Sequence, residues 1–222
     1  MAHKNVHEPV RVATGVVTID GDLHLPDNAR GLVIFAHGSG SSRFSRRNRG
    51  VAVTLESRGF ATLLLDLLTR DEEAVDERTR EYRFDIDLLG RRVVGATDWV
   101  QSRTDLHHLP ISYFGASTGA AAALIAAATR PEIARAVISR GGRPDLANDA
   151  LPLVKAPTLL IVGGNDEPVI EMNREAMHRM RAHVEIEIIP GATHLFEEPG
   201  ALEEVALLAA AWCERHGSED RQ

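Results

Sequence analysis

Ser117 sits in the run Gly115-Ala116-Ser117-Thr118-Gly119, after the apolar stretch Ile111–Phe114 and before an alanine-rich segment. A serine hydroxyl is a weak nucleophile until a base takes its proton and donors hold the oxyanion that its attack creates. Gly-x-Ser-x-Gly between a strand and a helix can meet both needs. The tight turn holds the serine in a strained conformation at the carboxyl end of the strand. The following N–H, that of Thr118, then lies at the helix N-terminus, where it can face an oxyanion. Read blandly, the same residues form a Gly-Ser turn of any strand-turn-helix.

A nucleophile of this kind needs a base that follows the carboxyl end of a strand, because ligands of open α/β sheets bind there. The chain has ten histidines. Only His37 and His194 occupy such places; His107, His108 and His183 precede strands. His194 follows the last apolar run in Gly191-Ala192-Thr193-His194 and is the expected base. His37 adjoins a Gly-Ser loop and is expected to shape it. A carboxylate must orient the imidazole, and chain order places it between the serine and the histidine. Asp166, directly after Leu159–Val162, fits, with Asp145 as the second candidate. Asp66 follows a strand but precedes the serine. The second oxyanion donor is expected in His37-Gly38-Ser39-Gly40, with the Ser39 N–H favoured and Gly38 and Gly40 as alternatives. That loop has neither the Gly-Lys-Ser/Thr of a phosphate loop nor Gly-x-Gly-x-x-Gly. The resulting acyl transfer to water requires no metal or organic cofactor.

Arg43, Arg140 and Arg143 all follow strands on the same edge as Ser117, in a chain whose net charge is -7. Guanidinium groups grip carboxylate or phosphate in a fixed geometry, so these arginines are candidates for binding an anionic acyl substrate. The competing expectation is that they pair with Asp145, Glu72 or Glu73 and only fasten loops.

The elements that would position these groups alternate. Residues 10–19 and 21–25 read as a hairpin turning at Asp20-Gly21. Buried strands are expected over 31–36, 60–65, 111–114, 133–139, 157–162 and 184–189. Helices are expected over 47–58, 84–101, 169–181 and from Pro199 onward. The alanine-rich helix follows Ser117, and a brief helical segment spans 146–153. The charge-dense stretch 67–80 reads as a solvated loop or exposed helix. Strands alternating with helices predict a mostly parallel, doubly wound α/β sheet with helices on both faces. The segment between 139 and 157 is too short for a separate lid domain. One domain is expected over 10–216, with flexible tails at 1–9 and 217–222.

Taken together, Gly-Ala-Ser117-Thr-Gly, Asn-Asp166-Glu-Pro and Gly-Ala-Thr-His194 resemble an α/β-hydrolase over nearly the whole chain. Within that group the sequence is most similar to the dienelactone hydrolase superfamily. The stretches 37–43, 65–69 and 139–146 resemble the hydrolase module sometimes joined to a phosphoribosyltransferase domain, and no such second domain is expected within these 222 residues. The resemblance implies the α/β-hydrolase fold and a Ser117–His194–Asp166 triad. Dienelactone hydrolases proper use a cysteine nucleophile, whereas position 117 is serine. The expected activity is hydrolysis of a small carboxylic ester or related acyl substrate. A thioesterase, amidase or perhydrolase would use the same triad. A binding or regulatory module of the same fold is the non-catalytic alternative.

Composition excludes several other classes. The acidic balance argues against a nucleic-acid partner, since no basic excess offsets phosphate repulsion. A single cysteine, Cys213, precludes an intrachain disulfide and suits a reducing compartment. No apolar run approaches the ~20 residues of a membrane span, and the polar start lacks a signal-peptide core. A cytoplasmic location with no membrane association is the expectation.

Overall fold

Leu32–Ala36 (β3) and Ile111–Ala116 (β5) pair in parallel at the centre of the sheet, and every residue of both is buried. Such largely apolar runs suit strands covered on both faces. The computed structural model describes residues 6–218. The other strands are β1 (Val6–Thr14), β2 (Val17–Leu25), β4 (Ala61–Leu65), β6 (Ala134–Arg140), β7 (Thr158–Gly163) and β8 (Val184–Ile189). The eight-stranded order is β1-β2-β4-β3-β5-β6-β7-β8, antiparallel through β1, β2 and β4 and parallel from β4 to β8. The strand order reverses beside β3, so the loop after β3 and the elbow after β5 emerge side by side.

The hairpin corrects the sequence expectation. Its turn is Gly15-Val16, with Gly15 at φ +78, and Asp20 and Gly21 lie inside β2 opposite Arg11 and Val10. Gly21 marks crowding between strands rather than a turn. A Cβ there would lie 3.2 Å from Val10 Cγ2 and 3.3 Å from the Leu64 carbonyl oxygen. Residues 6–9, expected in a flexible tail, pair with Asp22–Leu25 in the sheet. Gly217, placed in the other tail, is buried and donates to the Cys213 carbonyl. Positions 1–5 and 219–222 of the expected tails lie outside the described residues.

Two cores cover the two faces. Helices α1 (Arg46–Ser57) and α6 (Ala201–His216) pack Val51, Leu55, Val205 and Trp212 onto one face. Helices α3 (Ile86–Ser102), α4 (Thr118–Thr129) and α5 (Glu167–Arg179) cover the other through Leu89, Val93, Ala123 and Ala176. A 3₁₀ segment, Pro144–Leu153, connects β6 to β7. The charge-dense stretch contains α2 (Arg70–Thr79), started by a capping box in which Thr69 and Glu72 satisfy each other's backbone N–H groups. Asp76 is buried there. It accepts the Tyr82 and Arg83 N–H groups at 2.8 and 2.9 Å and pairs with the Arg83 guanidinium, so this stretch is anchored rather than merely solvated. Among the described residues, no helix is long and apolar enough to cross a membrane.

Candidate active site

The turn after β5 has the geometry its glycines require. Ser117 stands at φ 50, ψ -123, a conformation L residues seldom adopt and one that persists only where the surroundings impose it. The imposition comes from β6 and its exit: the Ser117 N–H donates to the Arg140 carbonyl at 3.2 Å, and the Arg143 N–H donates to the Ser117 carbonyl at 3.0 Å. A Cβ on Gly115 would lie 2.4 Å from Ala120 Cα, where strand and helix meet. Gly119 is small for a different reason. A Cβ there would lie 2.3 Å from the Ala36 carbonyl oxygen and 2.5 Å from that of His37, so the helix start presses on the loop after β3.

That loop faces the serine. A Cβ on Gly38 would sit 3.0 Å from Ser117 Cβ. Ser39 Oγ is 2.9 Å from Thr118 Oγ1, tying the residues of the two expected oxyanion donors together. The Thr118 N–H belongs to the first residue of α4, which has no acceptor within its own helix. His37 shapes the loop, as its position implied. Its Nδ1 is 2.8 Å from the Gly38 carbonyl, and its Nε2 accepts the Leu67 N–H at 3.0 Å. Burial, against weaker opposing pulls from Gly38 and Asp66, holds this ring below the usual histidine range and keeps it neutral.

His194 Nδ1 lies 2.7 Å from Asp166 Oδ2. Two loops must meet for this contact, and Asn165 joins them: its N–H reaches the Ala192 carbonyl and its Nδ2 the Gly191 carbonyl, both at 2.9 Å. Gly163 permits the approach, since a Cβ there would lie 2.5 Å from the Ala192 carbonyl oxygen. Beyond His194, Thr193 Oγ1 donates to Glu198 at 2.6 Å and the Phe196 ring is buried, which fixes the far side of the loop. Asp145, the second candidate for the acid, is engaged elsewhere. Arg143 donates to both of its carboxylate oxygens, at 2.9 and 2.7 Å.

Ser117 and His194 line one pocket of about 260 Å³, with Gly38 and Ser39 on the wall formed by the loop after β3. The structure separates the three arginines. Arg43 lies outside this pocket, paired with Asp66 and Asp22 and stacked 4.2 Å from the Phe44 ring centroid. Arg143 is committed to Asp145, which raises its guanidinium further. Both fasten loops, Arg143 through the expected Asp145 and Arg43 through two aspartates that were not among the expected partners. Arg140 alone lines the pocket. It is the last residue of β6, 7% exposed, and its Nη2 reaches Asn48 Oδ1 at 3.3 Å. Its Nε and Nη1 have no partner among the described residues. Burial, and secondly the charge of Arg47, push this guanidinium down to about 10. Arg47 and Asn48, from the first turn of α1, were not singled out in the sequence, where they read as ordinary helix-start residues.

Comparison with known proteins agrees with this fold. A crystal structure of a dienelactone hydrolase from Anabaena variabilis ATCC 29413 is 58% identical, superimposes with a TM-score of 0.94, and is matched over 96% of this chain and 99% of that one. Est1E from Butyrivibrio proteoclasticus shares the fold at 18% identity and a TM-score of 0.77, over 93% and 98% of the two chains. Two Mycobacterium tuberculosis proteins carrying the provisional name phosphoribosyl transferase are 55% identical over 92% of this chain. The chain spans 45% of their length. The family model for the dienelactone hydrolase family matches residues 19–215. The chain belongs to the dienelactone hydrolase family, a family of hydrolases with an α/β fold.

Proposed function

We propose that the protein is a serine hydrolase that cleaves small carboxylic esters through Ser117, His194 and Asp166. The observation that carries this reading is the 2.7 Å contact between His194 Nδ1 and Asp166 Oδ2 at a pocket that Ser117 also lines. With Nδ1–H donating to Asp166, the other ring nitrogen is free to accept the Ser117 proton. The serine oxygen attacks the ester carbonyl, and the N–H groups of Thr118 and Ser39 hold the resulting oxyanion. His194 then returns the proton to the leaving alcohol. Water, activated by the same ring, cleaves the acyl-enzyme and regenerates Ser117. Every step is carried by side chains and backbone of this chain.

Thioesters and amides would use the same three side chains, so the test ranks them. A fluorophosphonate probe is expected to label Ser117 in the wild type and to leave Ser117→Ala unlabelled. 4-Nitrophenyl esters of increasing chain length, with matched thioesters and anilides, then set the preference. Labelling of another serine in the alanine variant would overturn the assignment. A cytoplasmic location goes with this reading and rests on the lone buried cysteine. Phosphoribosyl transfer, the activity in the relatives' name, belongs on this reading to the part of those proteins that the chain does not match.

A further inference from the structure

We propose that the pocket takes its substrate by a phosphate monoester group, held by Arg140, Arg47 and the N-terminus of α1. The proposal deepens the hydrolase reading above and rests on it for the chemistry at Ser117. The starting point is Arg140. A guanidinium that is 7% exposed, with a neutral amide oxygen as its side-chain partner and two nitrogens unpartnered among the described residues, is a buried charge without compensation. Burying such a charge is costly, and an anion delivered to it recovers much of that cost.

Three further features favour a tetrahedral dianion over a carboxylate. First, a second guanidinium lines the same pocket: Arg47, whose Nε is also buried without a partner. Its carboxylate contact among the described residues, Nη1 to Glu197 at 3.0 Å, is with a side chain that is 66% exposed, and such pairs are weak in water. Two positive charges facing one pocket are balanced by a group carrying about two negative charges, as a phosphate monoester does. Second, the 12-residue helix α1 starts at the pocket wall, where Ser45 is its cap and Arg47 and Asn48 lie in its first turn. Ser45 Oγ accepts the Asn48 N–H at 3.3 Å, so the donors this end offers to phosphate oxygens are the N–H groups of Arg46 and Arg47, with the positive end of the helix dipole. Third, the hydroxyl of Ser41 lines the same space and supplies a further neutral donor, while that of Ser39 is engaged with the Arg83 carbonyl and Thr118. A carboxylate has two acceptor oxygens and one charge and would leave part of this set unused.

The closing experiment has one arm that needs no turnover. Melting temperature is measured for wild type and Ser117→Ala in phosphate, sulfate and acetate, with sodium chloride matching ionic strength. Phosphate is expected to raise it in both proteins and acetate to match chloride. Phosphate is also expected to compete with a neutral ester in the wild type, its inhibition constant rising roughly tenfold or more in Arg47→Ala and in Arg140→Lys. In the second arm, activated esters ending in phosphate, carboxylate or hydroxyl are compared, and kcat/KM is expected to be highest for the phosphate ester, with that advantage shrinking in both variants. Equal effects of acetate and phosphate would overturn the assignment of a dianion. Anion effects no greater than chloride, or unchanged in both variants, would overturn the site itself. If no ester is hydrolysed while phosphate still stabilises Ser117→Ala, the hydrolase reading fails and the phosphate site stands.

Discussion

Asp166 Oδ2 lies 2.7 Å from His194 Nδ1, while Asp145, the other carboxylate that chain order allowed, is gripped on both oxygens by Arg143. The two aspartates therefore differ in what their loss should do. Asp166→Asn is expected to lower kcat by roughly 10⁴-fold, because an amide cannot hold the imidazole in the required tautomer. Asp145→Asn should change kcat by no more than a few-fold, since it weakens a partly exposed ion pair. Steady-state kinetics on the same ester decide it, and the reverse ranking would reassign the acid.

Two glycines within helices should respond oppositely to alanine. At Gly119 a Cβ would meet two carbonyl oxygens at 2.3 and 2.5 Å, both backbone atoms that cannot swing aside. Gly119→Ala is expected to cost about 3 kcal/mol or more. Gly50 lies exposed within α1, and the nearest atom to its added Cβ is 3.6 Å away. Gly50→Ala should stabilise the protein by about 0.5–1 kcal/mol through helix propensity. Chemical denaturation of the two variants tests both signs.

His37 predicts a pH dependence of stability distinct from that of activity. Its ring titrates below the usual histidine range in the native protein, chiefly because it is buried. Below about pH 6.5 the unfolded chain binds a proton that the native state refuses. The contribution is complete above that value and falls as the pH drops, by up to about 1.4 kcal/mol per pH unit. His216 shifts in the same direction, so wild type alone does not isolate it. His37→Gln, weaker at pH 7 through the lost Leu67 contact, should show a flatter decline between pH 7 and 5. An equally steep decline would mean that His37 is protonated in the folded state.

Cys213 is fully buried in α6, and burial pushes its thiol up to about 12. A thiol-specific reagent at pH 8 should leave the native protein unmodified and its hydrolase activity intact. Modification is expected only as denaturant unfolds the chain. Rapid loss of activity on treatment would point to thiol chemistry in place of Ser117.

The groups legible in the sequence were those whose role depends on position along the chain. Ser117, Asp166 and His194 each follow the carboxyl end of a strand, and a parallel sheet brings such positions to one edge whatever the details of packing. The groups that escaped notice depend on packing across the chain. Arg47 and Asn48 meet Arg140 only because α1 starts over the pocket, 92 residues away for the Asn48–Arg140 bond. Nothing at the level of residue type separates Arg140 from Arg43 and Arg143. What separates them is the supply of nearby carboxylates, which is a tertiary property. The hairpin was misplaced for a related reason: Asp20-Gly21 is a turn signal in isolation, but Gly21 is needed where β2 is squeezed between Val10 and Leu64.

The backbone of Ser117, at φ 50 and ψ -123, sets this chain's function against its own thermostability. Glycine occupies that conformation without the steric cost a serine carries there, a difference on the order of 1 kcal/mol or more. Ser117→Gly should therefore melt higher than the wild type while losing all esterase activity. A library screened for heat resistance alone would drift toward glycine at 117 and enrich inactive protein. Only a screen that also scores turnover would retain the serine.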